Sequence, residues 1–182
     1  SVLSVAQGSQ AATPENSKNP YLLTQKFSID INDVKYVQGT TGRYVMIKGL
    51  RPLAVPGKPL VPVKVFTFEL PKNAKVLNVK VDIQSVENYG YVKIAPSPVP
   101  VPKSGKGYPA GFVPPSYDEK VYSKNAFYPS KAYDYRIGRG FKGTVVYVYL
   151  YPVRYYPVSN EVKLITSAEV SVSYVRTEVK GT

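Results

Sequence analysis

The feature that most constrains the fold is a strictly alternating stretch near the C-terminal end of the chain, residues 143–151 (GTVVYVYLY). Alternate side chains of a β-strand point to opposite faces, so this pattern predicts a strand. One face carries Val146, Val148 and Leu150, and the other carries tyrosines. Because both faces are apolar or aromatic, we expect a central strand that is covered on both sides.

A turn is predicted immediately after this stretch. Pro152 has no N–H group to donate, so the strand should end there. Residues 156–161 (YPVSNE) combine proline with Ser and Asn, which favour turns. Residues 162–165 then return as a second strand. We therefore expect the tyrosine-rich strand to fold back on itself through a proline corner.

The rest of the chain repeats the pattern of short alternating runs separated by turn signals. Residues 56–57 (PG) predict a type II turn, residues 88–90 (NYG) predict another turn, and residues 118–122 are counted among the strands. No stretch shows helical spacing over more than about two turns. Roughly ten strands at this spacing predict an all-β fold, an antiparallel β-sandwich of the immunoglobulin-like or jelly-roll-like kind.

The domain organisation is expected to be simple. Residues 1–20 form a polar N-terminal tail, residues 21–175 form a single sandwich, and residues 176–182 form a C-terminal linker toward a downstream domain. Within the sandwich, residues 95–117 are a long loop rich in proline and glycine, and such loops are either linkers or functional. A chain of 182 residues buries roughly 70% of its unfolded surface, so it needs no disulfide to fold.

The composition excludes most kinds of catalysis. The chain contains no His and no Cys, so a Cys–His dyad, a Ser–His–Asp triad and the usual zinc sites cannot form within it. Residues 30–33 (DIND) hint at a calcium loop but lack its glycine and its distal glutamate. We therefore predict a regulatory or binding domain that is not an enzyme and has no metal or cofactor.

The charge of the chain limits its partners. A net charge of +12 suits an acidic protein or an anionic surface. We predict no nucleic-acid partner, because no helix or recognition motif is available to read a groove. The basic residues are spread along the chain, which also fits a solvated surface. No apolar run approaches the length of a membrane span.

Three segments resemble the propeptide domain of gingipain-type cysteine peptidases, which are secreted enzymes of the caspase-like clan. The first comprises residues 56–62 (PGKPLVP) and 70–76 (LPKNAKV). The second comprises residues 128–131 (YPSK) and 139–141 (RGF), and the third is residues 151–162 (YPVRYYPVSNEV). Together they cover about two thirds of the chain in the expected order.

This resemblance implies a secreted or cell-surface prodomain that assists the folding of a downstream cysteine peptidase catalytic domain. It also implies that the prodomain blocks the active site by placing a basic side chain in a pocket that selects Arg or Lys. The basic residues on loops or turns of this sequence are Lys103, Lys106, Arg136 and Arg139. We favour Lys103 or Lys106 in the long loop, because an ammonium group in an acidic pocket supplies charge complementarity.

Two basic residues near the C-terminus, Arg176 and Lys180, are candidate processing sites. An alternative function is a cell-surface structural sandwich that binds an anionic polymer or carbohydrate. In the carbohydrate version, Tyr133, Tyr135, Tyr155 and Tyr156 would be exposed contact residues, although tyrosines at strand spacing more often pack over a sheet.

Overall fold

The computed structural model describes residues 19–99 and 115–178. Within these residues the chain is almost entirely β-structure. The strands are β1 (Tyr21–Ser28), β2 (Val34–Gln38), β3 (Arg43–Ile47), β4 (Arg51–Leu53), β5 (Val61–Glu69), β6 (Ala74–Tyr91), β7 (Tyr133–Gly140), β8 (Gly143–Leu150), β9 (Val153–Tyr156) and β10 (Glu161–Arg176). A 3₁₀ turn at Ile31–Asp33 and one short helix, α1 (Glu119–Tyr122), complete the described elements.

These strands form two main antiparallel sheets. The first sheet has the order β1-β10-β6, and β9 also pairs with the start of β10. The second sheet has the order β4-β5-β8-β7. Strands β2 and β3 form a separate hairpin. The predicted all-β, antiparallel fold of roughly ten strands is therefore confirmed.

The main core lies between the two sheets. The first sheet contributes Phe27 from β1 together with Val170 and Val172 from β10, and the second sheet contributes Phe66 and Val148. The rings of Phe27 and Phe66 meet edge to face across the sandwich at 6.4 Å. Each such fully buried side chain contributes about 1.5–3 kcal/mol relative to an exposed one, so this layer dominates the stability.

A second core lies beneath the β2–β3 hairpin. Its fully buried members include Val45, Ile94, Tyr155 and Leu164. Ile94 belongs to the segment that follows β6 and leads into the long loop, and Tyr155 belongs to β9. This core therefore joins the hairpin, the entrance of the loop and the β9–β10 corner into one packed unit.

The structure confirms the predicted central strand but corrects its neighbours. Strand β8 lies between β5 and β7 in the second sheet. After Pro152 the chain crosses to the first sheet, where the predicted turn joins β9 to β10. The tyrosine-rich strand therefore does not pair with the strand that returns. Its outer face is also only half covered, since Tyr147 and Tyr149 remain partly exposed.

Two local predictions were wrong. Asn88 and Gly90 do not form a turn, because both pair with β10 inside the 18-residue strand β6. Shifts in register along this pair, which mark β-bulges, accommodate the irregular sequence. Residues 118–122 form a helical turn instead of a strand, since the Asp118 carboxylate accepts a hydrogen bond from Lys120 N at 3.0 Å and caps α1.

The sandwich has two distinct ends. At the tip end lie the β7–β8 hairpin turn, the β5–β6 turn and the C-terminal end of β10. At the loop end lie the β9–β10 turn and the residues on either side of the long loop. The 16 residues of β10 run from one end to the other. At 3.3 Å per residue, the two ends are roughly 50 Å apart.

Candidate functional site

Both sides of the long loop are attached to a single turn at residues 55–58. Gly57 N donates to Ser97 O at 3.0 Å, and Asp118 N donates to Gly57 O at 2.9 Å. Lys58 N donates to Val55 O at 3.0 Å, and Gly57 has a φ of 80°. These are features of the predicted type II turn, whose third position favours glycine. The loop thus leaves and re-enters the sandwich at neighbouring points.

The favoured inhibitory candidates, Lys103 and Lys106, lie outside the described residues. The structure therefore shows the base from which they extend, and their own positions stay a prediction.

A cluster of tyrosines supports this loop base. The ring of Tyr122 packs edge to face against Tyr117 at 4.9 Å and Tyr155 at 6.4 Å. Its hydroxyl donates to Ile94 O at 2.6 Å, beside the entrance of the loop. Burial raises the pKa of Tyr122 above its usual value and raises the pKa of Tyr128 to about 12. These hydroxyls therefore stay protonated at neutral pH and act as donors or as uncharged packing groups.

Arg154 connects the segment after α1 to strand β9, a role that the sequence did not reveal. Its guanidinium group donates to Lys131 O at 3.0 Å and to Pro129 O, and it lies 5.9 Å from the centre of the Phe127 ring. Burial lowers the pKa of Arg154 to about 10, so the group is charged at neutral pH. Its charge is therefore used within the fold to fix residues 127–131. The local sequence, an Arg followed by two tyrosines in a strand, does not indicate that Arg154 binds carbonyl groups more than 20 residues away.

The other two inhibitory candidates, Arg136 and Arg139, lie on β7 at the edge of the second sheet. The Arg136 guanidinium lies over the Tyr147 ring, 5.4 Å from its centre. Arg139 is exposed and pairs with Thr144, next to the last pair of the hairpin. The structure therefore places Arg139 near the tip end and Arg136 in the middle of β7.

The two predicted processing residues are also separated by the structure. Arg176 is the last residue of β10 and pairs with Ala74. Its guanidinium lies 4.9 Å from the centre of the Tyr21 ring. Lys180 lies outside the described residues. Arg176 is therefore paired within a sheet, and the position of Lys180 stays a prediction.

The tyrosines predicted as exposed carbohydrate contacts are not a shared surface. Tyr155 is fully buried, and Tyr133 and Tyr156 are partly buried. The Tyr156 hydroxyl hydrogen-bonds the side chain of Asn125. Only Tyr135 of this set is exposed, at 47%. That prediction was wrong, because the sequence shows the alternation of these strands without showing which face meets a core.

Neither a metal site nor a membrane helix occurs in the part of the chain that the structure describes. No group of three His, Cys, Asp or Glu residues is placed to hold a metal ion there. No helix within residues 19–99 and 115–178 has the length and apolar character needed to span a bilayer.

The described residues form a two-sheet antiparallel sandwich, and the turn at Gly57 is hydrogen-bonded to both Ser97 and Asp118. A family model described as Propeptide_C25 matches residues 22–182. The chain therefore belongs to the Propeptide_C25 family, and the resemblance found in the sequence is confirmed. No curated protein sequence matches the chain.

Two solved structures have a similar fold. One, described as "Structural insight into zymogenic latency of gingipain K from Porphyromonas gingivalis", superposes with a TM-score of 0.60 at 21% identity, over 88% of this chain and 89% of that chain. The other, described as "Complex of Porphyromonas gingivalis RgpB pro- and mature domains", superposes with a TM-score of 0.62 at 16% identity, over 92% of this chain and 88% of that chain. At these identities the similarity establishes the shared fold.

Proposed function

We propose that this chain is the prodomain of a secreted or cell-surface cysteine peptidase of the gingipain type. It assists the folding of the catalytic domain in the same precursor and occludes its active site until the two are separated by cleavage. The observation that carries this proposal is the family match over residues 22–182, which spans the whole sandwich. The similar fold in a structure titled as a complex of pro- and mature domains supports it.

The mechanism that fits best is delivery of a basic side chain from the long loop. Ser97 and Asp118, on either side of the predicted loop, are both hydrogen-bonded to the same glycine, Gly57. A loop fixed at its base loses less conformational entropy when it binds, which favours tight inhibition. A Lys103 or Lys106 ammonium group entering an acidic pocket would fix the register of the complex and compete with basic substrates. Arg136 is a weaker candidate because the Tyr147 ring already holds it against the sheet.

The decisive experiment adds the purified chain to the mature catalytic domain of its own precursor and measures peptidase activity. We expect inhibition well below micromolar concentration, since an interface of about 1,600 Å² or larger supports such affinity. Lys103→Ala or Lys106→Ala should raise the inhibition constant at least tenfold, whereas Lys124→Ala, an exposed lysine near the same end, should not. If the unaltered chain does not inhibit at micromolar concentration, the proposed function is wrong.

The expected domain organisation leads to a prediction about processing. The linker was predicted to begin at residue 176, whereas Arg176 is still the last residue of β10. Thr177, just after Arg176, is hydrogen-bonded to Asn73 three times, through its backbone N–H, its hydroxyl and its carbonyl oxygen. A peptidase needs an unpaired, extended segment, so cleavage after Arg176 requires these contacts to break first. We therefore predict that the catalytic domain cuts after Lys180 in preference to Arg176.

Mass spectrometry of the released fragments tests this preference. A Lys180→Gln variant of the precursor should accumulate uncut or be cut much more slowly, while Arg176→Gln should be processed at nearly the normal rate. The opposite order, with rapid cutting after Arg176, would contradict the argument from the hydrogen bonds of Thr177.

A further inference from the structure

The β7–β8 hairpin presents a phenylalanine that packs against nothing in the described part of the chain. Gly140 and Gly143 form the last pair of the hairpin, so Phe141 and Lys142 are its two-residue turn. Phe141 is 100% exposed. Single exposed apolar side chains are common, but a fully exposed aromatic ring at the apex of a turn has no role in stabilising the fold.

The backbone that carries Phe141 is rigidly placed. Leu70 N donates to Thr144 O at 2.8 Å, which joins the hairpin to the β5–β6 turn. Gly143 approaches that turn so closely that an added Cβ atom would lie 2.4 Å from Leu70 O. The fold therefore fixes the position of the turn and leaves the phenylalanine ring in solvent. Such pre-organisation lowers the entropy cost of burying the ring against a partner.

The surface around the hairpin is basic. Five exposed cationic side chains lie at the tip end, while the carboxylates at this end are Glu69 and Glu178. The cationic residues are Lys72, Lys75, Arg139, Lys142 and Arg176. Because most of these charges face solvent, they favour an acidic partner and increase its rate of association.

A shallow recess with a mixed polar and apolar lining lies next to the hairpin, between the edge strands of the two sheets. It has a volume of about 320 Å³ and is lined by Val76 and Ala74 of β6, Ile137 and Arg139 of β7, and Thr144 of β8, among others. Ile137 points toward the other sheet but remains 48% exposed. The recess is large enough for one side chain of a partner, beside the site where Phe141 inserts.

We propose that the tip surface, defined as Phe141, the recess and the five surrounding cations, is a second docking site for the catalytic domain. This inference rests on the proposed function. The chain leaves the sandwich at this end, because β10 finishes at Arg176, so a tethered catalytic domain is attached beside the tip surface. The partner surface would be acidic and contain an apolar pocket for the phenylalanine ring. Since the loop end lies roughly 50 Å away, the prodomain would lie lengthwise on the catalytic domain.

Binding of a Phe141→Ala variant to the mature catalytic domain of the precursor tests this site. Calorimetry should show that the dissociation constant rises about 30-fold or more, as expected for a buried aromatic anchor. Val86→Ala is the matched control, because Val86 is an exposed apolar residue within β6, away from both proposed contacts. Both variants should unfold at the same temperature as the unaltered chain. A Phe141→Ala constant within threefold of the unaltered value would overturn the proposal.

A second variant tests the charge contribution. Lys142→Glu should slow association, and the difference from the unaltered chain should shrink as salt is added, because exposed charges are screened. The outcomes separate this inference from the proposed function. If the unaltered chain inhibits and Phe141→Ala inhibits equally well, only the tip surface is refuted. If the unaltered chain neither binds nor inhibits the catalytic domain, both the proposed function and the tip surface are refuted.

Discussion

Replacing Tyr155 with alanine is expected to lower the free energy of unfolding by about 4 kcal/mol, the typical cost of deleting a large buried aromatic side chain. Tyr155 is fully buried in the second core. Its ring contacts that of Tyr122, and its hydroxyl donates to Asn160 Oδ1 at 2.8 Å. The substitution would leave a cavity between the β9–β10 corner and the loop entrance. Urea unfolding followed by tyrosine fluorescence measures the change.

Two control variants separate the sources of this loss. Tyr155→Phe keeps the ring and removes only the hydroxyl, so it should cost about 1 kcal/mol. Tyr91→Ala removes a tyrosine that is 75% exposed and should change stability by less than about 0.5 kcal/mol. If Tyr155→Ala costs no more than Tyr155→Phe, then the ring does not pack as the structure shows.

Tyr155→Ala should weaken inhibition through the long loop more than it weakens binding through the tip surface. Tyr122 packs on Tyr155 and donates to Ile94 O, and Ile94 lies just before the long loop. Loss of the ring loosens the base from which Lys103 and Lys106 extend. Under conditions in which the Tyr155→Ala variant is still folded, we therefore expect it to inhibit the catalytic domain more weakly than the unaltered chain. Binding through the tip surface, at the other end of the sandwich, should be less affected.

The sequence predicts the strands well because alternation is a local property. Strand β8 was located from its own residues, and its interior position in a sheet is confirmed. Its partners were not predictable in the same way. Pairing of β8 with β5 joins Phe66 to Val148, which are far apart in the chain. Nothing local distinguishes that pairing from a hairpin with the strand that follows.

The site was less predictable than the fold. Tyr155 and Tyr156 alternate in β9, and the sequence does not show which of the two faces a core; the structure buries Tyr155 completely. The family resemblance supplied the kind of partner, while the charge pattern alone left several partners open. Phe141 was missed as a contact residue, because Phe-Lys is not one of the residue pairs that mark a two-residue hairpin turn. Its complete exposure depends on how the hairpin packs, which is a tertiary property.

Replacing Gly143 with alanine is expected to destabilise the fold by about 3 kcal/mol or more. Gly143 has a φ of 149°, a conformation that other residues rarely adopt. An added Cβ atom would also lie 2.4 Å from Leu70 O and 2.7 Å from Lys72 N, both backbone atoms that cannot rotate away. Overpacking of this kind adds about 1–3 kcal/mol to the conformational cost. The midpoint of urea unfolding should fall accordingly.

Alanine substitutions at two other glycines distinguish the cost of the positive φ from the cost of steric overlap. At Gly138, in the same hairpin, the nearest atom to an added Cβ would be a carbon of the Tyr147 ring at 3.9 Å, so Gly138→Ala should be nearly neutral. Gly49 has a φ of 83° with nothing within 4 Å, so Gly49→Ala should cost only the conformational part, about 1–2 kcal/mol. If Gly143→Ala costs no more than Gly49→Ala, the close contact with the β5–β6 turn is absent. The hairpin would then be free to move, and Phe141 could not act as a pre-positioned anchor for the catalytic domain.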